Sequence, residues 1–213
     1  GAGGGSVVTI REAPSVSAPK PAPSFSDAAK KAMPAVVNIF TTKDVKVPRQ
    51  PFMDDPVFRY FFGDQSDPQT QKSASLGSGV IVSPEGHILT NSHVVDAADD
   101  IEVALADSRR AQARVVGSDP DTDLAVLKIN LPQLPSITFG RSDRADVGDV
   151  VLAIGNPFGV GQTVTMGIVS AKGRSKLGLL ENVAGYEDFI QTDAAINMGN
   201  SGGALIDARG RLV

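Results

Sequence analysis

Asn197-Met198-Gly199-Asn200-Ser201-Gly202-Gly203 sets one serine among three glycines, and the apolar run Ala204-Leu205-Ile206 follows at once. Glycines on either side of a hydroxyl allow turns that other residues resist and let the backbone approach a bound group closely. A serine in such a turn can be exposed, with the neighbouring amide N–H groups aimed at an oxygen that gains charge during acyl transfer. Read alone, the run is a glycine-rich turn ahead of a strand. Its chemical meaning depends on two segments upstream.

The first is Leu89-Thr90-Asn91-Ser92-His93-Val94-Val95. The chain has two histidines, His87 and His93, and imidazole is the side chain best suited to move a proton near neutral pH. His93 lies where one apolar segment meets the next, so it can be held firmly and still reach a cleft. His87 follows the turn Pro84-Glu85-Gly86 and reads as a turn residue. The second segment is Asp119-Pro120-Asp121-Thr122-Asp123 followed by Leu124-Ala125-Val126-Leu127-Lys128-Ile129. Asp119 and Asp121 beside proline are turn formers. Asp123 opens an apolar strand, where a carboxylate needs a partner. Orienting a histidine would provide one; a strand-edge turn residue is the plainer alternative.

The order His93, Asp123, Ser201 is one of the three chain orders in which a serine triad is built. On Thr90-Asn91-Ser92-His93-Val94-Val95, Asp121-Thr122-Asp123-Leu124-Ala125-Val126-Leu127, Ala153-Ile154-Gly155-Asn156-Pro157-Phe158-Gly159, Gln191-Thr192-Asp193-Ala194-Ala195-Ile196-Asn197 and Gly199-Asn200-Ser201-Gly202-Gly203, the chain resembles the trypsin-like serine proteases, specifically the HtrA/Deg family of bacterial envelope proteases, over residues 26–213. The blocks are short, and their order makes them specific.

The resemblance implies an all-β fold of two six-stranded antiparallel barrels with the site at their junction. The first barrel spans about 35–130 and the second about 148–213, the latter incomplete at its C-terminal end. It implies a catalytic triad of His93, Asp123 and Ser201, with an oxyanion hole from Gly199, Asn200 and Ser201. Ile196 matches a position lining the specificity pocket and implies small or medium apolar residues at the cleavage point. In the family a peptide flip ahead of the serine switches activity. Met198 stands where relatives often carry proline, which leaves that loop an extra donor and more freedom. Residues 172–187 correspond to a sensor loop, with Arg174 matching a residue that relays ligand binding at a following PDZ domain. The stretch Gln162–Ser170 and a short aromatic loop point to the membrane-anchored, stress-sensing DegS-like branch. Its implied role is regulated cleavage of an anti-sigma factor in the periplasm, the alternative being a broad-specificity quality-control protease or chaperone. Homotrimers and an activating C-terminal peptide acting through a downstream PDZ domain are further implications.

Composition narrows the field around that reading. The net charge of −4 opposes nucleic acid as the main partner. Without cysteine and with two histidines, a disulfide framework, a cysteine nucleophile and a structural transition-metal site are not expected. No cofactor is implied, and no Gly-x-x-x-x-Gly-Lys phosphate loop occurs. No apolar run reaches the ~20 residues of a membrane span. The chain begins at Gly1 without methionine and stops at Val213 in mid-strand, so both ends read as cut, with room for an anchor upstream. A binding-only scaffold on the same fold is the rival class, and it would have no use for His93, Asp123 and Ser201 together.

Along the chain, residues 1–24 are rich in Gly, Ala, Ser and Pro and read as a flexible tether. Ser26 is the expected N-cap of a short helix over 27–32 that Pro34 closes. Strands are expected over 36–40, 79–82, 87–90, 101–105, 111–116 and 124–129. A linker follows at 131–135, then strands over 150–154, 163–170, 189–191, 204–207 and 212–213. Phe52, Phe58, Tyr60, Phe61 and Phe62 crowd a polar stretch and suit either local packing or a subunit contact.

Overall fold

The structure, a computed structural model, describes residues 24–46, 70–156, 161–174, 189–197 and 200–213. The expected tether up to residue 23, the aromatic stretch 52–62 and the sensor loop from 175 on lie outside the described residues.

The chain enters through α1 (Ser26–Ala32), which buries Ala28 and Ala32 one helical turn apart and exposes its polar side. Asp27 in the first turn and Lys30 and Lys31 in the last complement the helix dipole. The cap differs from expectation. Ser26 is already helical, Phe25 holds the cap position without a side-chain bond, and the Ser26 N–H donates instead to Ser24 Oγ at 3.3 Å. Pro34 sits at the start of a 3-10 turn, Met33–Ala35, so the chain tightens into β1 rather than stopping.

Seven antiparallel strands follow: β1 (Val36–Lys46), β2 (Thr70–Ile81), β3 (His87–Asn91), β4 (Asp100–Ala104), β5 (Arg110–Gln112), β6 (Arg114–Asp119) and β7 (Leu124–Lys128). Their order in the sheet is β5-β4-β1-β2-β3-β7-β6. The two edge strands are separated only by Ala113, whose N–H donates to the Ile101 carbonyl at 2.9 Å. The sheet therefore curls until both its edges belong to one piece of chain, which removes the free edges of an open sheet. The single strand expected over 111–116 is thus broken at Ala113, so that one part pairs with β4 and the other with β7. A register shift between Val115 and Gly117 adds twist there.

The second sheet has the order β10-β9-β8-β11, from β8 (Val150–Gly155), β9 (Thr163–Arg174), β10 (Phe189–Thr192) and β11 (Ala204–Asp207). Leu212, expected in a fifth strand, makes isolated bridges to Ile206 and Phe139 instead. The architecture is all-β and trypsin-like.

One core spans both sheets. Val36, Val37, Ile39, Ile81, Ile88, Val103, Leu127 and Ile129 from the first half pack with Leu152, Ile154, Ala204 and Ile206 from the second. Burying each of these larger side chains is worth about 1.5–3 kcal/mol, so the halves are held in fixed relation. The 131–135 linker joins this core: Leu134 and Ile137 are buried, and the Ile137 N–H donates to the Ile81 carbonyl at 2.9 Å.

Candidate active site

His93 sits on a single helical turn, α2 (Ser92–Val95), that follows β3 directly. Val94 and Val95 are buried and anchor the turn. Val94 lies over Gly77 so closely that a Cβ there would come within 2.5 Å of a valine methyl. With its neighbours pinned inward, the His93 side chain is left 58% exposed and free to face a cleft.

Asp123 precedes β7 with φ of +54°, in the left-handed region that Asp and Asn enter more readily than other non-glycine residues. The turn before it is closed by Asp119, whose carboxylate accepts from the Asp121 N–H and the Thr122 hydroxyl at 3.0 and 2.9 Å. Asp119 is the turn former expected. The backward twist at Asp123 aims its main-chain carbonyl at the Ser92 N–H and the Asn91 amide, both at 3.0 Å. Its carboxylate meets His93 twice: Oδ1 accepts from the main-chain N–H at 2.9 Å, and Oδ2 lies 2.7 Å from Nδ1. A carboxylate so placed keeps the proton on Nδ1 and leaves Nε2 as an acceptor.

Ser201 arrives from the second sheet, in the turn before β11. Its carbonyl accepts from the Ser78 N–H of β2 at 2.8 Å. Gly202 has φ of +82°, and a Cβ on it would fall 2.1 Å from the Ser78 carbonyl and 2.4 Å from Thr90 Oγ1. Only glycine fits. The turn is therefore pressed against the end of β3, three residues ahead of His93. Among the described residues no hydrogen bond joins Ser201 Oγ to the imidazole; catalytic hydrogen bonds in ligand-free enzymes are often long and tighten on binding substrate.

The other expected residues fall as follows. Asn200 is buried with its side-chain oxygen unpartnered, packed where a Cβ on Gly155 would meet that oxygen at 2.1 Å. Gly199 and Met198 lie outside the described residues. Ile196 is 59% exposed, on a segment tied to β9 by Thr165 Oγ1 donating to the Ala195 carbonyl (2.7 Å) and the Ile168 N–H donating to Asp193 Oδ1 (2.8 Å). Arg174 ends β9, with its backbone paired to Phe189. His87 contacts Ser83 Oγ through Nδ1 at 2.6 Å, in keeping with a turn role.

Residues 77–213 match the trypsin-like peptidase domain family. The chain belongs to the HtrA family of trypsin-like serine proteases. It is 45% identical over 204 residues to a probable periplasmic serine endoprotease DegP-like of Chlamydia pneumoniae, covering 89% of this chain and 41% of that protein. It is 44% identical over 232 residues to periplasmic serine endoprotease DegP of Escherichia coli, covering 96% and 47%. Among solved structures it is similar to the HtrA-type protease AlgW with decapeptide, at 62% identity and a TM-score of 0.71, covering 89% of this chain and 57% of that one. The chain thus spans less than half the length of these two DegP relatives.

Several residues around the candidate site were given no role of their own from the sequence. Ser78 bonds the Ser201 turn, Asn156 bonds Ser78, and Asn91 bonds the Asp123 carbonyl. Gly77-Ser78-Gly79 was the available signal, three small residues in a strand, where each glycine marks a close packing contact.

Proposed function

We propose that the protein is a serine endopeptidase using Ser201 as nucleophile, His93 as general base and then acid, and Asp123 as the group that orients the imidazole. The observation that carries this reading is the double contact of Asp123 with His93, through Nδ1 and the main-chain N–H at 2.7 and 2.9 Å. A carboxylate gripping both ring and backbone fixes tautomer and orientation together. Ser201 Oγ attacks the scissile carbonyl while Nε2 takes its proton. The Gly199 and Ser201 N–H groups, with Asn200 shaping the turn between them, stabilise the oxyanion. Losing one such donor typically costs about 10²–10³ in rate. Nε2 then protonates the leaving amine, and water repeats the cycle on the acyl-enzyme. Ile196, exposed on the segment tied to β9, selects small or medium apolar residues.

The finer reading is a periplasmic, DegS-like protease. It works as a homotrimer, tethered to the inner membrane through an upstream segment. A C-terminal peptide at a downstream PDZ domain activates it through the 172–187 loop and Arg174, and its substrate is an anti-sigma factor. Identity to the AlgW structures, 54–62% against 44% for DegP of Escherichia coli, supports a branch apart from DegP. The DegP-like names of the curated relatives support the alternative, a broad quality-control protease or chaperone.

The test is cleavage by the full-length protein of one membrane-protein periplasmic domain and of a panel of unfolded proteins, with and without a C-terminal outer-membrane-protein peptide. Peptide-dependent cleavage of the single substrate is expected. Equal digestion of the panel, indifferent to the peptide, would replace the regulated reading with the quality-control one.

A further inference from the structure

Ser78 is fully buried, and three of its hydrogen bonds among the described residues bear on the candidate site. Its N–H donates to the Ser201 carbonyl at 2.8 Å. Its carbonyl accepts from Thr90 Oγ1 at 2.8 Å. Its side-chain Oγ accepts from the Asn156 N–H at 3.0 Å. The three partners have different allegiances. Thr90 belongs to β3, which leads into His93; Asn156 directly follows β8; Ser201 begins the turn into β11. Since β8 and β11 are themselves paired, Ile154 with Ala204, Ser78 holds both arms of the second sheet at the point where the nucleophile turn springs from it.

We propose that Ser78 is a positioning residue that sets the nucleophile turn against the histidine strand. The inference rests on Ser201 being the nucleophile and His93 the base. The path from one to the other is short: Ser201 carbonyl to Ser78, Ser78 carbonyl to Thr90 hydroxyl, then three residues along the chain to His93. Each link is buried or nearly so, with Ser78 and Thr90 at 0% and 2% exposure. The fit has little slack, because Gly202 presses on the same Ser78 carbonyl and the same Thr90 hydroxyl. If the Ser78 hydroxyl is removed, the Asn156 N–H loses its buried acceptor, and the end of β8 must move or take in water to satisfy it. Any such movement carries β11 and Ser201 with it. Misplacing a reacting group by about 1 Å can cost on the order of 10²-fold in rate, so a shift of a few tenths of an ångström should be visible in turnover.

The experiment compares Ser78→Ala, Thr90→Val and Thr90→Ser with the intact wild-type protein. A core truncation on the same sheet but away from the junction, Ile101→Val, serves as the control for general destabilisation. Readouts are kcat and KM on a fluorogenic peptide with an aliphatic residue before the scissile bond, and the rate of fluorophosphonate labelling at Ser201. Ser78→Ala and Thr90→Val are expected to lose about tenfold in both kcat and labelling rate, with KM within about twofold and the pH profile unmoved, since the His93–Asp123 pair is untouched. Thr90→Ser keeps the hydroxyl and is expected to label like wild type. Ile101→Val should do so too.

Wild-type labelling in Ser78→Ala and Thr90→Val, or losses no greater than those of Ile101→Val, would overturn the proposal. Labelling that persists in Ser201→Ala would instead remove the nucleophile assignment beneath it.

Discussion

Replacing Asp123 with asparagine separates chemistry from folding more cleanly than any other change in this site. Asparagine keeps the size and accepts the left-handed backbone at φ +54° as readily as aspartate does. The main-chain carbonyl, bonded to the Ser92 N–H and the Asn91 amide, is unchanged. The amide oxygen can still accept from the His93 main-chain N–H, now made at 2.9 Å. What remains for Nδ1, 2.7 Å from Oδ2 today, is an NH₂ group. A donor there forces Nδ1 to accept, which moves the ring proton to Nε2, the atom proposed to take the proton from Ser201. The imidazolium formed on attack also loses its carboxylate. The two effects together are worth about 10⁴ in kcat, or about 5.4 kcal/mol at 1.36 kcal/mol per factor of ten. Folding should change far less. One charged hydrogen bond at a half-exposed pair is lost, worth about 1 kcal/mol. The assay is kcat/KM on a fluorogenic peptide across pH 5–10, beside a urea titration of the same preparation. A loss of less than about tenfold in the folded variant would refute the tautomer argument. So would a collapse of stability that alone accounts for the lost activity.

Three further outcomes follow from the same geometry. Gly202→Ala must place a methyl 2.1 Å from the Ser78 carbonyl at φ +82°. Adding about 1–2 kcal/mol of backbone strain to about 1–3 of overpacking, its urea midpoint should fall by the equivalent of about 2–5 kcal/mol, and Ser201 should no longer label. In Gly167→Ala the new methyl would lie 2.3 Å from the Ala194 amide nitrogen, lifting residues 193–196 off β9; KM for aliphatic peptides should rise more than kcat falls, and an unchanged KM would count against Ile196 as a specificity residue. At Asp207, partial burial pushes the carboxyl up, but the Arg211 N–H and guanidinium and the Arg209 N–H outweigh it, and the group sits below the usual carboxylate range. A carboxyl lowered on folding adds stability above its unfolded pKa of about 4 and loses it as pH falls through the folded value. Asp207→Asn should therefore be about 1 kcal/mol less stable at pH 7, with a shallower acid limb in thermal melts below about pH 4.

How far the sequence could be read depended on whether each feature was local. The strand at 87–91 and the one at 124–128 announce themselves by apolar residues bounded by turns, and they formed close to where expected. The length of β2 was hidden, because Thr70–Leu76 carries no apolar alternation; it is strand because the far end of β1 pairs with it residue for residue, Thr41 with Ser75 through Lys46 with Thr70. The break at Ala113 was equally hidden, since nothing in residues 111–116 says that the two ends of that segment face different neighbours. In the candidate site, His87, Asp119 and Asp121 could be set aside as members of proline and glycine turns; the neighbours of His93 and Asp123 left two readings open, and their order with Ser201 and the family resemblance linked them. Ser78 could not be found that way. Its bonds to Thr90, Asn156 and Ser201 run to residues 12, 78 and 123 positions away, and only the closed sheet brings them together.

The sharpest measurement is mass-spectrometric mapping of a fluorophosphonate adduct on the intact protein. A single adduct on Ser201, abolished in His93→Ala and reduced by orders of magnitude in Asp123→Asn, is the predicted result. An adduct elsewhere, or one on Ser201 that forms at the same rate without the imidazole, would contradict the site.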